Sequence, residues 1–429
     1  MRKFNVAVTV LILGMTLVFA GEGRDYASEV KLNMYSETVK QAVTVHSFVD
    51  GDTTHFNVPS SVVESGILKA RYLAIDTPES TGKIEEYGKK ASKFTREKLS
   101  AATSIIIESD SGTWNIDSTG GRYLVWVWYR TSEDEDYRNL NIELLQNGLS
   151  VANSTLNNRY GTVAMAALNY AKNEKLNIYS GQPDPDFYYG DAIELTLKEL
   201  RCNVEKYDGI KVAFEGVITL NDNGTIYVED YDPDTGLYFG ISVFYGYNLP
   251  PKGLDILSVG NRSRIVGTVQ YYENGEVYQV AGLSYRAMKP KDPSNVQKIS
   301  DGHTGAYVLT DAQTFLNGKV KVNVDDTVKE FDYAYLTLAT TIEMSNLKVR
   351  EIHTEDNLAS SSFGAMTLIC EADGKEVRVR TVVLTDSNRN VITADAYLGK
   401  VIDVRGVVGI HDGKYQIRVL SAKDITIIQ

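Results

Sequence analysis

At 429 residues, 43% of them hydrophobic, the chain is too long for one ordinary core and apolar enough to build two or three. The formal charge of −12 divides as −4 over residues 1–190 and −8 over residues 191–429, which excludes a general nucleic-acid coat protein, whose affinity rests on positive surface. The two cysteines, Cys202 and Cys370, fall in segments that read as different domains, so a disulfide framework is excluded as well.

The chain opens with the positive residues Arg2 and Lys3, followed by an uncharged apolar run from Phe4 to Ala20 with small residues at Val18 and Ala20. This pattern predicts a cleaved export signal over residues 1–20. The run falls a little short of the ~20 residues that a spanning helix needs. No Cys follows it to carry a lipid, and no later segment is apolar enough to cross a bilayer. The expected product is secreted or extracellular, or held at the cell envelope, without stable membrane insertion after cleavage.

From Ala42 to Phe56 the pattern is strand-like, broken by the turn Asp50-Gly51-Asp52; Leu68 to Ile75 and Thr103 to Ser109 read as further strands. Arg122 to Tyr129 alternates, with Tyr123, Val125, Val127 and Tyr129 on one face and Leu124, Trp126 and Trp128 on the other. Ile84, Tyr87, Ala91, Phe94 and Lys98 recur at helical spacing and predict an amphipathic helix over Glu85–Leu99. A second helix is expected from about Ile142 to Asn147, stopping at Gly148, and a third through Tyr160, Ala164, Ala167, Leu168 and Ala171. Strands in a small closed sheet with helices at intervals predict an α+β domain over residues 36–181, built on an OB-like five-stranded β-barrel with three helices. Lys83, Lys89, Lys90, Lys93, Arg96 and Lys98 gather in it, either as a local basic site or as a solvated helix face.

Residues 182–190, with Pro183 and Pro185 among acids, read as a linker. Beyond it the chain is β-rich without strong helices. Gly267-Thr268-Val269, Asn274-Gly275 and Tyr278-Gln279-Val280 are echoed by Gly406-Val407-Val408, Asp412-Gly413 and Tyr415-Gln416-Ile417, a strand-turn-strand repeat. It predicts two β-rich domains, 191–288 and 300–429, for which an OB-like barrel and a sandwich fit nearly equally.

Three clusters in the first domain place acids and guanidinium groups at strand ends: Asp50-Gly51-Asp52-Thr53, Arg71 through Glu79, and Gly121-Arg122. Taken singly, these are an ordinary turn, a helix cap and a strand Arg reaching solvent. Together they hold what phosphodiester hydrolysis requires: acids for a cation, an acceptor for the attacking water, and donors for the charge developing on phosphorus. Asp52 and Asp76 are hard oxygen ligands suited to calcium. Arg71 and Arg122 are planar forks matched to phosphate, and Glu79 stands three residues beyond Asp76.

These stretches, with Glu86-Tyr87-Gly88, Ala91-Ser92, Phe94-Thr95, Asn141 through Leu149 and Lys175-Leu176-Asn177-Ile178, occur in one order over about a third of the chain, and the first domain resembles the staphylococcal nuclease, or thermonuclease, family. The resemblance implies that Asp52 and Asp76 bind Ca2+ through carboxylates and Thr77 through its carbonyl oxygen, with Asp50 behind them. It implies that Glu79 orients or deprotonates water, that Arg71 and Arg122 clamp the phosphate, and that DNA and RNA are both cut to 3′-phosphorylated products. Two places depart from the family. Ser118, Thr119 and Gly120 stand where the family has a Lys and a Tyr before Gly-Arg, and Asn153 and Thr155 replace tyrosines. Weaker substrate binding is therefore expected, or other stacking groups such as Trp114 or Tyr160.

Asp230 to Gly236 imitates the start of a calcium loop, but its Gly is one place late and Ile241 stands at the twelfth position, so a hairpin turn is the better account. The five histidines show no metal-ligand spacing. The alternatives are a catalytically impaired nucleic-acid-binding barrel and a cell-envelope attachment protein whose acidic half is the working part.

Overall fold

The computed structural model describes residues 24–119, 121–246, 249–357, 360 and 362–428. The export signal expected over residues 1–20 lies outside the described residues. Five strands build a first barrel: β1 (Lys40–Phe48), β2 (Thr53–Asn57), β3 (Ile67–Tyr72), β4 (Ser104–Glu108) and β5 (Tyr123–Arg130). All neighbours pair antiparallel except β3 and β5, which run parallel, and the ring closes in the order β1-β2-β3-β5-β4-β1. Closure leaves no open edge in this ring.

Helix α1 (Gly88–Ser100) joins β3 to β4, while α2 (Leu140–Gln146) and α3 (Gly161–Asn173) follow β5. The alternation in β5 proves only half a guide to burial, because every residue from Val125 to Tyr129 is buried. Helix α1 is also turned relative to its expected face. It buries Gly88, Ala91, Thr95 and Leu99, and begins only after Tyr87, whose φ of 64° cannot continue a helix. Ile84 and Tyr87 therefore belong to the loop before it, and Lys98 lies beside the buried face.

The same connectivity recurs twice. Strands β6 (Lys211–Asp222), β7 (Thr225–Asp232), β8 (Leu237–Phe244), β9 (Arg262–Tyr272) and β10 (Val277–Ala281) close as β6-β7-β8-β10-β9-β6, with β8 and β10 parallel. Strands β11 (Thr341–Thr354), β12 (Met366–Ala372), β13 (Lys375–Thr381), β14 (Val401–His411) and β15 (Lys414–Val419) close in the same way, with β13 and β15 parallel. The β-rich half is thus two closed barrels rather than a sandwich. The sequence repeat is the β9-β10 hairpin and its β14-β15 counterpart. A Cβ on Gly267 would stand 2.6 Å from the Ala281 carbonyl oxygen, and one on Gly406 2.4 Å from that of Arg418. Both positions admit glycine alone because the partner strand passes so close.

Helices do occur in this half. α4 (Leu197–Cys202) is started by a capping box in which Thr196 and Glu199 each satisfy the other's backbone N–H. Asp230 to Gly236 is a hairpin turn, with the Thr235 N–H donating to Asp232 Oδ2 at 2.9 Å. Between the second and third barrels, helix Ala312–Asn317, the hairpin Lys319–Val324/Thr327–Asp332 and helix Tyr333–Leu336 form one insert. Val322, Val324 and Leu336 are buried in the second barrel's core, and Ala312, Phe315 and Ala334 in the third's. Cys202 and Cys370 are free and buried. Among the described residues, no helix is long and apolar enough to cross a membrane.

Candidate active site

The turn between β1 and β2 carries Asp50 and Asp52. It is held from below by α1, where buried Thr95 donates its hydroxyl to the Gly51 carbonyl oxygen at 2.6 Å. A Cβ on Gly51 would stand 2.8 Å from Thr77 Oγ1 and 2.9 Å from Ala91 Cβ, so glycine lets the turn sit against both the helix and the next segment. Asp50 Oδ1 accepts the Asp52 N–H at 3.0 Å. The wholly buried Asp52 carboxylate then accepts the Thr77 N–H at 2.7 Å and the Thr53 hydroxyl at 3.1 Å.

Arg71, next to last in β3, has its guanidinium shared between two acids, one nitrogen on Asp52 and the other on Asp76. The chain bends sharply after β3 at Ala74, whose φ of 70° is unusual for a residue with a side chain. Its carbonyl oxygen is fixed by the Asn153 N–H at 3.1 Å and the Thr155 hydroxyl at 2.6 Å. Ser150 holds the backbone of Asp76 on both sides, accepting its N–H at 3.1 Å and donating to its carbonyl oxygen at 3.0 Å. Buried Asn141 ties Leu73 to Val125 and Val127 across the β3-β5 seam. Asn141, Ser150 and Thr155 thus shape the site from outside the set of acids and arginines that the sequence points to. The clue in the sequence is polar residues set among apolar ones, Asn141 between Leu140 and Ile142 and Ser150 between Leu149 and Val151, which must find partners once packed.

Electrostatics follow from this packing. Burial first, and the Asp50 charge second, push the Asp52 carboxyl up to about 7, against the pull of Arg71. Partial desolvation and the Asp50 charge also raise Glu79, which lies within electrostatic range of Asp50, Arg71 and Asp76. Thr77 Oγ1 is buried without a hydrogen-bond partner.

Asp50, Asp52, Arg71, Asp76, Thr77 and Glu79 therefore share one corner of the barrel. Arg122 does not join their network. Its strand enters beside β3, with Tyr123 opposite Ala70, but its Nε donates to Asp117 Oδ2 at 2.7 Å. Hydrogen bonds from Thr119 and Arg122 outweigh desolvation and hold Asp117 down at about 2. Asp117 stands just before the Ser118-Thr119-Gly120 stretch that departs from the thermonuclease pattern.

The matched residues decide what kind of domain this is: residues 69–181 match the family described as Staphylococcal nuclease homologue. This segment is a staphylococcal-nuclease-type domain. The match begins inside β3 and includes Arg71, Asp76, Thr77, Glu79 and Arg122, whereas Asp50 and Asp52 lie upstream of it and reach the site through the β2-β3 pairing, which sets Thr53 opposite Arg71.

Within the nuclease-type domain, Tyr160 is not free to stack on a base. It packs edge-on against Trp126 and Trp128 at 5.1 and 5.4 Å and donates its hydroxyl to Glu108. Thr155 is likewise buried and committed to Ala74. Trp114 is half-buried, edge-on to Tyr123 at 6.4 Å. The basic cluster is also largely committed. Lys89 pairs with Asp208 and Arg96 with Glu273, both on the second barrel, while Lys98 pairs with Glu143 and Lys90 donates to Asn177. This face of α1 is a domain junction rather than a free basic site. The 182–190 stretch is equally tied down: Asp184 is buried and accepts the Tyr87 N–H at 2.6 Å.

Among the described residues, no three His, Cys, Asp or Glu side chains gather into a metal cluster. Two hard carboxylates meeting on one cationic centre, beside an unpartnered buried hydroxyl, nevertheless fit the donor chemistry of calcium, which completes its shell with carbonyls and water.

Proposed function

We propose that the first barrel is a calcium-dependent nuclease that hydrolyses phosphodiester bonds of DNA and RNA to 3′-phosphorylated products, and that it works outside the cell or at its envelope. The observation that carries this reading is the convergence of Asp52 and Asp76 on the Arg71 guanidinium, with Glu79 in range. Calcium would be held by the Asp52 and Asp76 carboxylates and the Thr77 carbonyl, and when bound supplies positive charge against the phosphate. Glu79 orients the attacking water and takes its proton. Arg71 and Arg122 donate to the phosphate oxygens, where charge accumulates in the transition state. Asp50 holds the Asp52 backbone in place. The second and third barrels, with their accessory role, make up the acidic half of the chain.

The Arg122–Asp117 pair favours the second reading, a nucleic-acid-binding barrel with impaired catalysis, because it withholds one phosphate clamp. Hydrolysis of DNA and RNA by the full chain, in calcium and in chelator, separates the two. The nuclease reading expects calcium-dependent cutting of both polymers that falls by roughly 10²- to 10⁴-fold in Glu79→Gln. Retained binding with no cutting under any metal would establish the second reading.

A further inference from the structure

Glu79 lies on the loop between the Ile75–Asp76 bridge and α1, and that loop has two kinds of anchor. At its base, the Glu85 N–H donates to the Glu79 carbonyl oxygen at 2.9 Å, and the Glu79 N–H donates to the Glu85 carboxylate at 3.2 Å. A Cβ on Gly88 would stand 2.1 Å from the Glu79 carbonyl oxygen, so the helix start is pressed against the backbone of Glu79 itself.

The loop's tip is held from another barrel. Gly82, at a φ of 64°, donates its N–H to Gln270 Oε1 at 3.0 Å and accepts from Gln270 Nε2 at 2.6 Å. Gln270 sits on β9 of the second barrel, 188 positions away in sequence, and is only 6% exposed. Both ends of one buried side-chain amide are spent on the backbone N–H and C=O of one residue, the way a strand neighbour pairs. Gly282, just after β10, completes the seat: a Cβ there would stand 2.7 Å from the Gly82 carbonyl oxygen and 3.5 Å from Lys83 Cα. A buried amide with both partners in place is rigid, and leaving it without them would cost the desolvation of both groups.

We propose that Gln270 is a positioning residue for the nuclease site, through which the second barrel fixes the loop that carries Glu79. The proposal rests on the nuclease reading above. It gives the second barrel a role in catalysis without contact to substrate, and it accounts for a domain junction placed at this loop.

The test uses the full chain with Gln270→Ala and with Gln270→Met, the latter keeping side-chain length while removing both hydrogen bonds. Rates are measured in the wild-type and Glu79→Gln backgrounds, with thermal unfolding as the control for folding. A misplaced general base is expected to lower kcat by roughly ten- to a hundredfold with KM within about twofold. The Gly82 amide should also exchange with solvent faster in both variants. In the Glu79→Gln background the same Gln270 substitutions should change the residual rate by less than about twofold, since coupled residues lose one function once. A wild-type rate in both Gln270 variants, or an equal loss in the Glu79→Gln background, would overturn the positioning role while leaving the nuclease reading intact. Absence of hydrolysis by the wild-type chain in calcium would instead refute that reading, and this proposal with it.

Discussion

The two junctions between barrels are built on opposite principles. The first and second barrels meet through polar groups: the Gln270 amide on Gly82, Lys89 with Asp208 and Arg96 with Glu273. The second and third share core. Their insert sends Val322, Val324 and Leu336 into one barrel and Phe315 and Ala334 into the other. Buried Arg201 donates to the carbonyl oxygens of Gly240 and Leu338, and buried Glu229 accepts the N–H groups of Ala306 and Thr341. Apolar burial is non-directional and strong, so the second junction should be permanent. Polar contacts are directional and individually weak, so the first sets geometry more than stability. The C-terminal barrels thus share one core, and the loop that carries Glu79 is seated against it through Gln270.

The largest break in that contrast should come from Leu336→Ala. Leu336 is wholly buried in the second barrel although it belongs to the third barrel's lead-in, and its truncation should cost about 2–5 kcal/mol. Urea unfolding should show the second and third barrels losing stability in a single shared transition. Two separate transitions, with only one shifted, would mean that the insert does not fuse them.

Glu229→Gln should have a smaller, pH-selective effect. Burial raises the Glu229 carboxyl above its ordinary 4.5, partly offset by hydrogen bonds from Thr341 and Ala306. Its folded pKa is therefore above its unfolded one. The contribution it makes to stability is full below about 4.5 and is lost as pH rises through the folded value. The difference in unfolding free energy between wild type and Glu229→Gln should accordingly drift against the wild type from acid to neutral pH and then level. A difference that is flat with pH would show that the hydrogen bonds fully compensate the buried charge.

Legibility differed between the parts of this molecule. The meeting of Asp50, Asp52, Arg71 and Asp76 could be read from sequence because they stand near strand ends within short spacings, as in Asp50-Gly51-Asp52 and Arg71 through Asp76. The strand-turn-strand repeat correctly marked two equivalent hairpins. What closes each barrel could not be read, because the parallel pairing of β3 with β5 depends on the register of distant segments, here Ala70 with Tyr123. The capture of Arg122 by Asp117, the burial of Asp184 in an apparent linker and the left-handed Ala74 depend likewise on partners remote in sequence or on local geometry without a composition signal. The alternating Lys319–Val324 segment could have been read as a strand, but nothing in it says that Val322 and Val324 pack into the preceding barrel. The lysines of α1 show the reverse case: a composition signal for nucleic acid in which Lys89 and Lys98 pair with Asp208 and Glu143.

The smallest expected effect tests whether the polar junction acts as separate contacts or as one unit. Arg96 pairs with Glu273 at 2.8 Å and lies over the Phe48 ring at 4.5 Å, with both charged side chains well solvated. Exposed pairs of this kind contribute about 0.2–1 kcal/mol and weaken with salt. Arg96→Ala should therefore lower stability by no more than about 1 kcal/mol, with the deficit shrinking at high salt. Its effect on hydrolysis should stay within about twofold, because the Gln270–Gly82 pair still holds the loop. Thermal unfolding and rates at low and high salt measure both. If Arg96→Ala instead matched the kcat loss expected of Gln270→Ala, the loop would be aligned by the whole docking geometry of the second barrel, and the single amide would be one contact among several that act together.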